Sequence, residues 1–210
     1  YVRRLKAAGI QERHLQDWTF ASATDTPSIQ MAKRYTENWK KVKAENLGLL
    51  LWGDVGTGKS FLAACIANAL LEKGVPVLMT NFSKILNQMG AMYSDERYRY
   101  IASFNRFSLL IIDDLGIERN TEYALEQVYA VIDERYKTGL PLIITTNLTI
   151  SQLRNPEDVA HARIYSRVLE MCTPVHVPGH DRRTTIGKSK QELVKEVLFS
   201  LSLIHISEPT

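Results

Sequence analysis

Three features predict an α/β fold with a mostly parallel central sheet and helices on both faces. From residue 47 onward, short continuous apolar runs alternate with segments of helical periodicity. A glycine-rich loop, Gly53-Asp54-Val55-Gly56-Thr57-Gly58, joins the first run to the first long helix. A later run, Leu109-Leu110-Ile111-Ile112, ends in two acids, Asp113 and Asp114. Unbroken apolar strands separated by helices are the pattern of a parallel sheet buried on both sides.

The elements follow in order. Residues 1–46 form a basic lead-in, with nine Lys/Arg against five acids. Within it Thr26-Pro27 reads as a helix cap and first helical position. Ile29, Ala32, Tyr35, Trp39 and Val42 then recur on one helical face, which leaves the basic residues on the solvated face. Leu49-Leu50-Leu51-Trp52 is too short for a helix and reads as a strand. A helix over 59–72 stops at Gly74. A strand over 75–80 precedes helices over 82–92 and 95–104. The strand over 109–112 is followed by a long helix over 123–136 that ends at Gly139, then by a strand over 142–146. Asn155-Pro156 reads as the start of a further helix.

Composition narrows the functional classes. The 210 residues are 45% hydrophobic and 23% charged, which is ordinary globular usage for one domain. No apolar run approaches the ~20 residues of a membrane span, and there is no secretory pattern, so a cytoplasmic protein is expected. Two cysteines, Cys65 and Cys172, exclude a disulfide-rich scaffold and a four-cysteine zinc site, and read as buried small hydrophobes. The five histidines show no ligand spacing. A net charge of +3 and pI ≈ 8.8 permit a nucleic-acid partner without requiring one. The chain opens at Tyr1 rather than Met, and a fragment is expected. Residues 201–210, LSLIHISEPT, resemble the translation of a transposon-end sequencing adapter. They are expected to be a non-native tail; a native β-rich tail is the alternative.

The loop carries the chemistry. Gly53 through Ser60 fits G-x-x-x-x-G-K-[ST], between a strand and an amphipathic helix. Glycines let successive backbone N–H groups face phosphates, and the helix N-terminus adds its positive end. Lys59 supplies a point charge to the outer phosphates of ATP, and Ser60 offers a hydroxyl to Mg²⁺. Residues 53–60 together with Phe61 are therefore the candidate nucleotide site. An ordinary glycine-rich turn is the bland alternative, and the flanking elements argue against it.

Ligands of parallel sheets gather at the carboxyl ends of strands. Asp113 is placed there to hold Mg²⁺ through its waters, and Asp114 to orient or deprotonate the attacking water. Asn147, after Leu142-Ile143-Ile144-Thr145-Thr146, reads either as a water or γ-phosphate contact or as a turn residue. Arg163 and Arg167 lie four apart on one helical face, and Arg182 and Arg183 follow. Arginines stabilise γ-phosphate charge, although surface solvation explains each of them equally well. Tyr93, Tyr98, Tyr100 and Tyr123 lie near Arg97, Arg99, Arg106 and Arg119. That mixture suits single-stranded nucleic acid, and packing of the aromatics is the alternative.

The order GDVGTGKS, LLIIDDLG, ITTN and ARIYSRVLEMCTPVHVPGHDRR resembles the AAA+ ATPase domain of DnaC/DnaI-type replicative helicase loaders, close siblings of IstB-type transposition helpers. The resemblance runs from about residue 2 to about residue 185. It implies a P-loop AAA+ three-layer sandwich, with the ATPase domain over 47–200. It casts Lys59 and Ser60 as Walker A, Asp113 and Asp114 as Walker B, and Asn147 as sensor 1. Arg167 becomes an arginine finger acting in the neighbouring subunit, with Arg163 second choice, and Arg183 becomes sensor 2. Tyr93, Thr121 and Tyr123 match positions implicated in DNA contact. Two departures stand out: Asp114 occupies a position where many AAA+ proteins have Glu, and Gly90 one where some relatives carry Lys. The loaders' helicase-binding N-terminal domain is not represented in these residues.

The implied function is ATP hydrolysis by a self-associating loader that places a hexameric DnaB-type replicative helicase on single-stranded DNA. A transposition helper acting on duplex DNA is the alternative. A small-molecule P-loop kinase is a second alternative; it predicts a monomer with its arginines acting in cis.

Overall fold

The computed structural model describes residues 1–116 and 121–179, and positions 191, 193, 194 and 197. Arg119, Arg182, Arg183 and the 201–210 tail lie outside the described residues. The lead-in folds as α1 (Val2–Gly9), α2 (Arg13–Gln16), a 3₁₀ turn (Phe20–Ser22), α3 (Pro27–Glu37) and α4 (Trp39–Ala44). Then come β1 (Gly48–Trp52), α5 (Lys59–Glu72), β2 (Val77–Asn81), α6 (Phe82–Met89) and α7 (Ser94–Ser103). The rest is β3 (Leu109–Leu115), α8 (Glu122–Thr138), β4 (Leu142–Thr146), α9 (Ile150–Arg154), α10 (Val159–Met171) and β5 (Cys172–His176).

The sheet order is β2-β3-β4-β1-β5, and every pairing is parallel. Side-chain alternation along the strands builds two cores. Leu50, Leu110, Ile112 and Ile144 face one way and pack with α6, α8 and α10. Leu49, Leu51, Leu109, Ile111 and Ile143 face the other way and pack with α5 and the lead-in. This is the expected three-layer arrangement. Ile10, Leu15, Ile29, Ala32 and Tyr35 share that second core, so the lead-in covers α5 as part of the same packed body.

Several boundaries differ from the sequence reading. The apolar face from Ile29 to Val42 belongs to two helices, broken at Asn38, whose side-chain amide donates to the Arg34 carbonyl at 2.8 Å. Asn155-Pro156 does not start a helix: Asn155 caps the end of α9, and α10 begins at Val159. There Asp158 accepts the His161 N–H at 2.8 Å. No described helix is long and apolar enough to cross a membrane.

Arg135 pins the floor of the sheet. It is 1% exposed, and its guanidinium donates to the carbonyls of Phe107, Ser108 and Pro141. Burial lowers its pKa to about 10. Cys65 and Cys172 are buried free thiols, and burial pushes Cys65 up to about 12.

Candidate nucleotide site

β1 delivers the chain to the loop, and the loop bends where glycine allows it. Gly53 has φ +148°, and a Cβ there would meet the Val177 carbonyl oxygen at 2.7 Å. Gly58, the residue before α5, has φ +97°. Both positions demand glycine. Lys59 is buried, and its ammonium donates to the carbonyls of Gly53 at 2.9 Å and Asp54 at 2.7 Å. The Thr57 hydroxyl donates to the Asp54 carbonyl at 3.0 Å, which closes the same turn. Asp54 and Val55 form the exposed lip.

A cavity of about 370 Å³ opens beside this loop. Thr57, Gly58 and Phe61 form one wall, the start of α3 at Thr26–Ile29 another, and His176–Pro178 a third. This is the volume and apolar-polar mixture of a small-ligand pocket. The α3 wall and the His176 wall were not predicted. The only sequence signal for the first was the Thr26-Pro27 cap; the second lies inside the stretch CTPVHVPGHDRR that carries the resemblance, without a role assigned to it.

On the other side of the loop, β3 ends in a bulge. Its register with β4 shifts between Ile112 and Leu115. Asp114 sits in the bulge at φ +59°, a left-handed conformation that Asp tolerates better than most residues. The buried Thr145 on β4 organises both acids. Its Oγ1 donates to Asp113 Oδ1 at 2.5 Å and accepts the Asp114 N–H at 2.9 Å. Asp113 has a raised pKa: burial is the largest cause, the Asp114 charge adds to it, and Thr145 and Ser60 oppose it through hydrogen bonds. The sheet thus brings Ser60 and Asp113 together, which is a fitting pair for a hydrated divalent cation. Among the described residues no three His, Cys, Asp or Glu converge to hold a metal directly. Asn147 is exposed just beyond β4. Thr145 was missed in the sequence because its role exists only through the β3–β4 register.

The two arginines of α10 lie on α8. Arg163 stacks over Tyr129 at 4.5 Å and Arg167 over Tyr136 at 3.9 Å. Arg167 also approaches Asp133 at 3.6 Å and Glu170 at 3.5 Å. Neither lines a cavity at the loop. Arg163 instead edges a groove of about 640 Å³ between α7, α8 and α10.

Tyr93 is 83% exposed at the turn between α6 and α7, and Tyr98 is 70% exposed on α7. Tyr123 is 39% exposed, and the Arg97 guanidinium lies 5.2 Å above its ring. Thr121 caps α8, its hydroxyl accepting the Ala124 N–H at 3.2 Å.

The model of the IstB-like ATP-binding protein family matches residues 2–190. The chain belongs to this family. This IstB-like protein is 28% identical over 162 residues to the replicative helicase loader DnaI of Bacillus subtilis, covering 72% of this chain and 50% of DnaI. It is 25% identical over 148 residues to a putative ATP-binding protein, Rv3427c, in an insertion sequence of Mycobacterium tuberculosis, covering 70% and 58%. It spans 50–58% of the length of these relatives. A crystal structure of DnaI superposes with a TM-score of 0.67 at 24% identity, covering 86% of this chain and all of that one. The fold is that of the P-loop AAA+ ATPases, and the family is one of ATP-binding proteins.

Proposed function

We propose that this IstB-like protein is the ATPase domain of a replicative helicase loader, and that it hydrolyses Mg·ATP. Gly53–Ser60 cradles the phosphates, with Lys59 turning from its loop carbonyls to the outer phosphates. Ser60 holds Mg²⁺ directly and Asp113 holds it through water. Asp114 and Asn147 orient the attacking water. The base stacks in the cavity between α3, Phe61 and His176. The observation that favours a loader over a small-molecule kinase is the placement of Arg163 and Arg167. They rest on α8, away from the loop of their own chain, as a finger given to a neighbour would. Sensor-2 duty is assigned to Arg183.

In this reading ATP assembles copies of the chain head to tail, and Tyr93, Thr121 and Tyr123 line a path for single-stranded DNA. The assembly then holds a hexameric DnaB-type helicase for DNA entry in the cytoplasm. Similarity to DnaI supports this reading, and similarity to the insertion-sequence protein supports the transposition helper as the second one. The test is sedimentation with Mg·ATP, plus anisotropy on labelled oligo-dT and on duplex of equal length. ATP-dependent association with a single-strand preference is expected. A duplex preference would favour the helper, and a monomer that transfers phosphate to an acceptor would overturn both.

A further inference from the structure

The lead-in brings a carboxylate to the Asp113 side of the loop. A polar cavity of about 220 Å³ there has Ser60, Asp113 and Asp114 on one side and Glu12, His14 and Trp18 on the other. Glu12 has a neighbour at each oxygen. Lys84 of α6 pairs with Oε1, and His14 Nε2 lies 3.5 Å from Oε2. Glu12 shares this cavity with the two acids of β3. Its charge reaches Asp113, where it adds to the raised pKa.

We propose that Glu12 is a second carboxylate of the Mg²⁺ site, beside Asp113, acting on the hydrated cation across the cavity. The inference rests on the reading of Ser60 and Asp113 as the Mg²⁺-holding pair. No three acidic, thiol or imidazole groups converge to hold a metal among the described residues, and Glu12 is assigned to the cation's water shell. An outer position suits Mg²⁺, which keeps several of its waters in protein sites. Those waters donate to carboxylates, and a fixed negative charge within a few water diameters raises the local cation concentration. Lys84 anchors the carboxylate from outside the cavity lining, and His14 stands in the lining beside it. The rival role is a tether, in which Glu12 only fastens α2 to α6 through Lys84.

The experiment is Mg²⁺ titration of fluorescent-ATP binding to the full chain, with a melting curve for each variant. Glu12→Gln keeps the shape and removes the charge. The half-saturating Mg²⁺ concentration is expected to rise about three- to tenfold, with nucleotide binding in EDTA unweakened. Lys84→Met unmasks the charge, and its midpoint is expected below the parental one. A tether predicts equal losses of melting temperature in both variants and a parental midpoint in Glu12→Gln. A parental midpoint in Glu12→Gln overturns the proposal. Should that variant unfold, Glu12→Ala with a folded melting curve decides in its place, and a parental midpoint there overturns the proposal. Ser60→Ala and Asp113→Asn separate the two levels. If they leave the Mg²⁺ midpoint unchanged, the Mg²⁺-site reading itself fails. If they raise it and Glu12→Gln does not, only the role of Glu12 fails.

Discussion

The hydroxyl of Thr145 donates to the carboxylate of Asp113 at 2.5 Å across the β3–β4 pair. The same oxygen accepts the N–H of Asp114 at 2.9 Å, inside the bulge. One buried hydroxyl therefore aims one acid and fixes the backbone of the other. Thr145→Val keeps the volume and removes both bonds. It should cost about 1–3 kcal/mol of stability, because a polar N–H is left unpaired. It should also slow ATP hydrolysis more than it weakens nucleotide binding. Thr145→Ser should restore both. Urea melts and a phosphate-release assay check this, and a Val variant with parental turnover would refute it.

Asp113 and Asp114 should separate by assay. Asp114→Asn preserves the left-handed backbone, since Asn tolerates positive φ. It should leave Mg·ATP affinity intact and remove most turnover. Asp113→Asn should weaken Mg²⁺-dependent binding as well. Equal losses of affinity in both would defeat this division.

Asp113 also carries a stability signature. Burial raises its pKa, so the folded state holds that proton more tightly than the unfolded state. Such a group favours folding when protonated, below the ordinary carboxylate pKa, and the contribution is lost as pH rises through the raised value. At neutral pH Asp113→Asn should therefore stabilise the nucleotide-free protein by about 0.5–2 kcal/mol, while shrinking the thermal shift given by Mg·ATP. Scanning calorimetry at pH 7, with and without nucleotide, reads both effects.

Much of this architecture was legible where local signals coincide. The helix at Lys59–Glu72 and the strand at Leu142–Thr146 match their predicted bounds, because a glycine or a polar residue ends each apolar pattern. β5 went unseen: Cys172–His176 is an edge strand with Pro174 and exposed Thr173, so it has neither an apolar run nor clean alternation. The split at Asn38 was hidden because the apolar spacing continues across it. Among site residues, the loop and the two acids announce themselves by type and spacing. Thr145, Glu12 and the walls at Thr26 and His176 do not, since only tertiary register and the docking of the lead-in give them their places.

Arg135 offers a test of the framework apart from the site. Its guanidinium satisfies the carbonyls of Phe107, Ser108 and Pro141 where β3 and β4 begin. Arg135→Met fills similar space and removes the guanidinium from the Phe107 and Ser108 carbonyls, while Pro141 keeps the Leu110 N–H at 3.4 Å. A loss of about 2–5 kcal/mol is expected, with nucleotide affinity of the folded fraction unchanged. Denaturant midpoints measure it, and a loss under 1 kcal/mol would contradict the role.

Arg167 should act across subunits. In its own chain it rests on Tyr136, Asp133 and Glu170. Arg167→Ala and Lys59→Ala proteins should each be inactive, and mixtures should regain activity by pairing an intact loop with an intact arginine. A finger supplied this way is worth ~10³-fold or more in some systems. Mixtures that co-assemble without recovering turnover would assign Arg167 to its own chain.

The DNA contacts should divide between Tyr93 and the Arg97–Tyr123 pair. Tyr93 is free to stack on a base, and losing it should cost about 1–3 kcal/mol of oligo-dT binding with little sequence preference. Tyr123 stands differently, because Arg97 already covers one face of its ring. Arg97 is held twice, by that ring and by donation from its Nε to the Met92 carbonyl at 2.9 Å. In the proposed reading its remaining N–H groups would meet a phosphate. Tyr123 then works through Arg97 rather than as a stacking platform of its own. Salt separates the two roles. Arg97→Gln should reduce the dependence of log affinity on log salt by about 0.7, the value for one phosphate contact on a single strand. Tyr93→Ala should lower affinity without changing that slope. Tyr123→Phe should behave as the parent, since the ring face is kept, and Tyr123→Ala should resemble Arg97→Gln in slope. A Tyr123→Ala protein that melts normally, keeps the parental salt slope and still loses affinity would return Tyr123 to direct base stacking.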